Sequence, residues 1–215
     1  MFSRRARILI AEDHTLVAEL CKRLLEIEFN VVDIVGDGRA MIRSAGELKP
    51  DLMLVDVSMP ILNGLDAGER VKEMLPAVKF VYLTVNPDPE VAAEAFHRGA
   101  SGYLLKTCAC SELVVAVREI LRGNTYISRT LPRDRINYLR RRNREMVEEA
   151  ARLTERQREV LQLLAEGRVM WEIADILNMT TRTVAFHKYK IMERIGAKSS
   201  AELVRYAVRN HIIAA

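Results

Sequence analysis

The sequence predicts two domains, an α/β domain with a parallel sheet and then a smaller all-α domain. In the first part of the 215 residues, apolar runs alternate with helical patterns, which is typical of a doubly wound α/β domain. Charge changes at the same place. Residues 1–126 hold 15 Lys and Arg against 18 Asp and Glu, a net −3, and residues 127–215 hold 18 against 11, a net +7. A basic second half suits a polyanionic partner, although a solvated surface gives the same count.

Five short apolar runs predict the strands of the first domain. Near-continuous runs of this kind suit a parallel sheet that helices cover on both faces. The runs are Ile8–Ala11, Val31–Val35, Leu52–Val55, Phe80–Leu83 and Gly102–Leu105.

About five helical patterns lie between and after these strands. The first predicts an amphipathic helix on the helical spacing of Leu16, Leu20, Leu24 and Ile27. A later helix has Asp88 as its N-cap, Pro89 in its first turn and Gly99 at its end. The last has Leu113, Val117, Ile120 and Leu121 on one side and ends at Gly123.

Residues 127–153 break this alternation and predict a charged linker that is partly helical. A thin apolar stripe is formed by Ile136, Leu139, Met146 and Val147. We interpret the run of three arginines at 140–142 as a solvated or interdomain face rather than a phosphate contact. The predicted domains are therefore 1–126 and 154–215, with the linker between them.

Four helical patterns fill residues 154–215. Thr154 and Gln157 predict a capping box at the first helix, and Asn178 closes a short second helix. The third runs from an N-cap at Thr180 to Gly196, and Ser199 with Glu202 predicts a capping box at the fourth. A short turn between the middle two helices suits a helix-turn-helix module.

Polar side chains follow four of the five predicted strands. In a flavodoxin-like strand order, Glu12, Asp13 and Asp56 would meet at the carboxyl edge of the sheet, where ligands bind in open α/β folds. Three carboxylates repel one another unless a cation lies among them, and oxygen ligands favour Mg²⁺. With Thr84 and Lys106 at neighbouring strand ends, the set predicts a phosphoryl site in which one carboxylate becomes an aspartyl phosphate.

Motifs in both halves resemble one family. The segments "ILIAEDH", "LMLVDVSMP", "VYLTV" and "GASGYLLK" resemble the receiver domain of bacterial two-component response regulators. The segment from "LTERQREVLQLLAEG" to "AELVRYA" resembles the LuxR-type helix-turn-helix, and together the two halves are similar to the NarL/FixJ family.

The resemblance implies a phosphorylation switch. It implies that a cognate histidine kinase phosphorylates Asp56, with Mg²⁺ held by Glu12, Asp13, Asp56 and the backbone carbonyl of Ser58. Thr84 and Lys106 match the switch hydroxyl and the phosphate-pairing lysine, and Tyr103 matches the aromatic residue that reorients with that hydroxyl.

The resemblance also implies sequence-specific binding to double-stranded DNA, commonly as a homodimer in the active state. The predicted recognition helix is 181–195, with Val184, Ile191 and Ile195 facing inward. The expected DNA contacts are Arg182, Thr183, Ala185, Phe186, Lys188, Tyr189 and Lys190.

Two other functions stay open. An aspartyl-phosphate phosphatase resembling the haloacid dehalogenases needs a second Asp two residues after the nucleophile, where Ser58 stands, so we expect no enzyme. A DNA-binding regulator whose receiver works without phosphorylation is kept open by the prolines Pro87 and Pro89 after Thr84. No apolar run reaches the about 20 residues of a membrane span, and three cysteines form no zinc pattern, so we expect a cytoplasmic protein without membrane contact.

Overall fold

The structure, a computed structural model, describes residues 4–145 and 153–213, except for the side chains of residues 140–145. The chain divides into two compact units, residues 1–146 and 147–215. Met146, Val147 and the side chains of the arginines at 140–142 lie outside the described residues.

The first unit is built on a six-stranded parallel sheet with the order β2-β1-β3-β4-β5-β6. The first five strands lie within one residue of the predicted bounds at each end, and their order confirms the flavodoxin-like prediction. The short sixth strand was not predicted. The strands are β1 Arg7–Ala11, β2 Asn30–Val35, β3 Leu52–Asp56, β4 Lys79–Thr84, β5 Gly102–Leu105 and β6 Tyr126–Ile127.

Helices cover both faces of this sheet. Residues of α1 and α5 form one apolar layer, and residues of α2, α3 and α4 form the other. β1 and β3 are almost fully buried between the two layers, which explains their near-continuous apolar runs. The helices are α1 Thr15–Leu25, α2 Gly38–Leu48, α3 Gly64–Met74, α4 Pro89–His97 and α5 Ala109–Leu121, the last preceded by a 3₁₀ turn at Lys106–Cys108.

Of the predicted apolar stripe of α1, only Leu24 packs against the core, and the other three members are exposed. Leu16 is 87% exposed, whereas Ala18, Cys21 and Leu25 are buried against the sheet. The side facing the sheet and α5 therefore includes Ala18 and Cys21, whose side chains are shorter than the leucines of the predicted stripe.

The first part of the linker folds onto the first unit. β6 pairs with the start of β5, and α6, Arg133–Glu145, packs on α4. Ile136 and Leu139 are buried, as members of an apolar stripe should be.

The second unit consists of four helices around its own apolar core. The capping box at Thr154 and the N-caps at Thr180 and Ser199 are present, but the carboxylate of Glu202 accepts from the Lys198 N–H instead of closing a box with Ser199. No helix in the described parts of the chain is long and apolar enough to cross a bilayer. The helices are α7 Glu155–Ala165, α8 Met170–Leu177, α9 Thr181–Ile195 and α10 Ser200–Arg209.

Candidate functional site

Two buried carboxylates and one lysine meet at the carboxyl edge of the sheet. Asp56 ends β3 and Glu12 follows β1, and because these strands are neighbours, their side chains share one pocket. They are 2% and 3% exposed. Lys106, directly after β5, places its Nζ 3.0 Å from Asp56 Oδ2 and 2.8–2.9 Å from both carboxylate oxygens of Glu12. The lysine therefore bridges the two acids.

The charges in this pocket are only partly balanced. Burial raises the pKa of Glu12, the negative charge of Asp56 raises it further, and the bond from Lys106 opposes both. Burial lowers the pKa of Lys106, but its contacts with Glu12 and Asp56 outweigh that effect and leave it raised. One cation thus faces two buried acids, and a third acid, Asp13, lies exposed at the rim.

The donor set fits a hard divalent cation. Ligand atoms of Glu12, Asp13, His14 and Asp56 all lie within 4.8 Å of one another. Carboxylate oxygens are the ligands that Mg²⁺ prefers in proteins. Ser58, the other predicted ligand, is exposed next to them, and its N–H donates to Asp56 Oδ1 at 3.2 Å.

His14 is a member of this cluster that we missed in the sequence. Its Nδ1 lies 2.8 Å from Asp13 Oδ1 and 3.1 Å from Glu12 Oε1. The charge of Asp13, followed by the contact with Glu12, raises the pKa of His14. Its position directly after two predicted ligands was the signal in the sequence.

Thr84 and Tyr103 lie buried beside the pocket. Thr84 ends β4 and is 2% exposed, and its Oγ1 accepts from the Asn86 N–H at 3.0 Å. Tyr103 in β5 is fully buried. Burial raises the pKa of its phenol, and the nearby Thr84 hydroxyl acts in the opposite direction.

A close backbone approach fixes the end of β3. A Cβ added at Gly64, the first residue of α3, would lie 2.0 Å from the carbonyl oxygen of Asp56. Real Cβ atoms do not come that near to backbone, so a glycine is needed here to let α3 start against the strand that carries Asp56.

A partly buried ion network between α3 and the end of α4 was also missed. Arg98, just after α4, places Nη1 2.6 Å from Asp66 and 3.2 Å from Glu69, both on α3, and its Nε donates to Glu94 at 2.7 Å. Burial lowers the pKa of Arg98, but Asp66 and Glu94 together outweigh it and leave it raised. Asp66 also accepts from the side chain of Asn63, the N-cap of α3. The network ties the end of α4 to α3.

The expected DNA-contacting residues lie along α9, and four of them, including Lys190, have exposed side chains. Phe186 is 58% exposed, Tyr189 is 67% exposed and Arg182 is also exposed. Val184 and Ile191 are fully buried on the opposite side, as predicted. Two aromatic rings and one guanidinium are thus available on one surface helix.

Lys190 and the remaining expected DNA contacts have partners within the second unit or are partly covered. Thr183 donates its N–H to Thr180 Oγ1 at 3.2 Å, which caps the helix. Lys188 Nζ donates to Ser200 Oγ at 3.2 Å, and Lys190 Nζ lies 2.8 Å from Glu193. Ala185 is partly buried.

Two family matches account for both units. Residues 8–118 match the response regulator receiver domain, and residues 151–207 match the bacterial regulatory proteins of the luxR family. The chain therefore belongs to the response regulators that join a receiver domain to a luxR-type DNA-binding domain.

Particular relatives extend over nearly the whole chain. The chain is 32% identical over 214 residues to the oxygen regulatory protein NreC of Staphylococcus aureus, covering 96% of this chain and 99% of NreC. Among solved structures it is similar to RcsB from Salmonella enterica serovar Typhimurium, bound to a promoter in the presence of phosphomimetic BeF₃⁻, with 26% identity and a TM-score of 0.55. That match covers 94% of this chain and 98% of the RcsB chain. A structure of two RcsB dimers bound to two parallel DNAs matches with 26% identity, a TM-score of 0.56 and the same coverage.

Proposed function

We propose that Asp56 accepts a phosphoryl group from a histidine kinase and that this controls DNA binding by the second unit. The observation that carries the proposal is the bridge of Lys106 between Asp56 and Glu12 at the carboxyl edge of the sheet. In the reaction, a carboxylate oxygen of Asp56 forms a bond to phosphorus as the bond from phosphorus to the kinase histidine breaks.

The residues around Asp56 have separate roles. Glu12, Asp13, Asp56 and the carbonyl of Ser58 would hold Mg²⁺, which neutralises charge on the phosphoryl oxygens when bound. Lys106 turns from the bare carboxylate to a phosphoryl oxygen. The Thr84 hydroxyl already accepts from Asn86, so its own proton is free to be donated to another phosphoryl oxygen.

The response is a change around β4 and β5. Phosphorylation adds about −1.5 to −2 charges where two carboxylates already lie. Thr84 moves toward the phosphoryl group, and Tyr103, buried beside it, is held inward. The change favours a homodimer on paired DNA sites, in line with the RcsB dimers on DNA.

On the second unit, the exposed side chains of α9 would read DNA. Phe186, Tyr189 and Ala185 would contact base edges and thymine methyl groups. Arg182, Thr183, Lys188 and Lys190 would contact phosphates or neighbouring bases, Thr183 with its hydroxyl and the two lysines after leaving Ser200 and Glu193.

The experiment is phosphorylation with acetyl phosphate and Mg²⁺, followed by mass measurement of the intact protein. The wild type should gain one phosphoryl group and Asp56→Asn none. Glu47→Gln, an exposed change on α2, is the matched control and should label like the wild type. Equal labelling of Asp56→Asn would exclude Asp56 as the acceptor. DNA affinity measured by fluorescence anisotropy should then rise on phosphorylation in the wild type and in Glu47→Gln, but not in Asp56→Asn.

A regulator whose receiver works without phosphorylation is the second candidate. The loop after Thr84 favours it, because Pro87 and Pro89 restrict a segment that a switch has to move. This candidate predicts the same DNA affinity with and without a phosphoryl group on Asp56.

A further inference from the structure

The connector, residues 126–139, is attached to β5 by a buried polar pair outside the phosphorylation pocket. Ser128 is fully buried, and its hydroxyl donates to Glu112 at 2.9 Å and accepts from the Leu105 N–H at 3.2 Å. The Ser128 N–H donates to the carbonyl of Tyr103 at 2.9 Å. Glu112, 6% exposed in the first turn of α5, also faces the Arg129 N–H at 3.3–3.4 Å. These bonds join the connector to both α5 and β5.

A buried carboxylate with these partners is a costly way to hold a segment. Burying a charged group without an opposite charge is unfavourable, and apolar side chains of similar volume hold elements together as well or better. What the Ser128–Glu112 pair provides is a fixed position of the connector relative to β5 and α5. Leu105, which it holds, directly precedes Lys106, so the connector is bound one residue from the pocket lysine.

The same connector also packs against Tyr103 and α4. Leu131 and Ile136 belong to one buried cluster with Tyr103 and with Val91 and Ala95 of α4. Docking of α6 on α4 therefore adds Leu131 and Ile136 to the cluster that contains Tyr103, which is compatible with the buried position of that ring.

We propose that Ser128 and Glu112 form a latch that couples docking of α6 on α4 to the phosphorylation pocket, so that a phosphoryl group on Asp56 tightens the docked connector. This inference rests on the proposed phosphorylation of Asp56. A phosphoryl group engages Lys106 and Thr84 and favours the inward Tyr103, and that arrangement is the one on which the connector docks. Because coupling is reciprocal, a docked connector favours the phosphorylated state by the same factor.

Hydrogen–deuterium exchange of the full-length protein tests the latch, with and without Mg²⁺ and beryllofluoride as phosphoryl mimic. Ser128→Ala leaves a buried carboxylate and the Leu105 N–H short of a partner, so exchange in residues 126–139 should rise by about tenfold or more. Glu112→Gln keeps an acceptor for Ser128 and should raise exchange by a smaller factor, which provides a milder variant if Ser128→Ala does not fold. Ser111→Ala is the control, because its hydroxyl bond to the Cys108 carbonyl is exposed.

The coupling has its own signature. Beryllofluoride should slow exchange in residues 133–139 of the wild type and of Ser111→Ala, and this response should be lost in Ser128→Ala. The proposal would be overturned if residues 126–139 of Ser128→Ala exchange at the wild-type rate. It would also be overturned if they exchange faster but beryllofluoride still slows exchange in residues 133–139 as much as in the wild type. Protection around Asp56 without any response in α6 would refute the coupling alone, whereas no protection around Asp56 in the wild type would refute the proposed function. The exchange measured without beryllofluoride tests docking in either case.

Discussion

Replacing Arg98 by Met should destabilise the first unit strongly, because it removes the cation from a buried network. The Arg98 side chain is 15% exposed and that of Asp66 9%, whereas Glu94 and Glu69 are 33% and 51% exposed. Removing one partner of a buried ion pair costs about 3–5 kcal/mol. Asp66 keeps the Asn63 amide at 3.0 Å and the other two acids reach water, so we expect the lower end, about 3 kcal/mol.

Urea unfolding measures this loss in each unit separately. With a slope of about 2 kcal/mol per M, a loss of about 3 kcal/mol lowers the midpoint by about 1.5 M. Circular dichroism follows both units, while the fluorescence of Trp171, the single tryptophan, reports the second. The midpoint from circular dichroism should fall and the fluorescence midpoint should stay.

Arg118→Met is the matched control. Arg118 is paired with Glu28 on the surface, where both side chains are substantially exposed and such pairs contribute little. Its urea midpoint should match that of the wild type. Equal midpoints for Arg98→Met and Arg118→Met would refute the assignment of a structural role to the buried network.

Three further predictions concern the pocket and the recognition helix. Gly64→Ala should lower stability by about 1–3 kcal/mol because its Cβ would clash with the Asp56 carbonyl. Gly46→Ala, in open space within α2, should stabilise by up to about 1 kcal/mol. Similar urea midpoints for the two variants would contradict the steric argument. His14 stays charged above its ordinary pKa of 6.5 and repels Mg²⁺, so Mg²⁺ affinity should fall as pH falls through that raised pKa. Calorimetric titrations of Mg²⁺ should show this fall in affinity for the wild type and not for His14→Asn. If His14→Asn has the same pH dependence as the wild type, His14 is not the cause. Thr180→Ala removes the N-cap of α9 and should lower the stability of the second unit by about 1 kcal/mol. An unchanged urea midpoint from Trp171 fluorescence would contradict this prediction.

The sheet and its polar edge were predictable because both depend on local pattern. Each of the five apolar runs is long enough to be recognised, and the polar residues that follow four of them must lie at the carboxyl edge. Glu12 and Asp56 are neighbours because β1 and β3 are paired, which the flavodoxin-like order requires. The chemistry then follows from residue type.

Features that depend on contacts between distant segments were not predictable. A strand of two residues, Tyr126–Ile127, has no period to detect. Arg98 meets Asp66 across 32 positions of sequence, and neither residue is unusual in its local sequence. In α1, apolar residues occupy more than one face, and only the sheet and α5 decide that Ala18, Cys21 and Leu25 pack rather than Leu16.

The proline-containing loop is an ordered connection from Thr84 to α4. Asn86 donates its N–H to the Thr84 hydroxyl, Asp88 donates to the Asn86 side chain, and Glu90 donates to Asp88, at 3.0, 3.0 and 2.8 Å. Pro87 and Pro89 have no N–H, so each backbone donor between residues 86 and 90 belongs to this chain of bonds. Each of these N–H groups donates to the side chain two residues earlier, so the bonds link Thr84 to the start of α4. A displacement of Thr84 toward Asp56 therefore either moves the start of α4 as well or breaks the bond from Asn86. The prolines therefore favour movement of the loop and α4 as one piece. The other end of α4 is tied to α3 by Arg98, so such a movement would turn the helix about its C-terminal end.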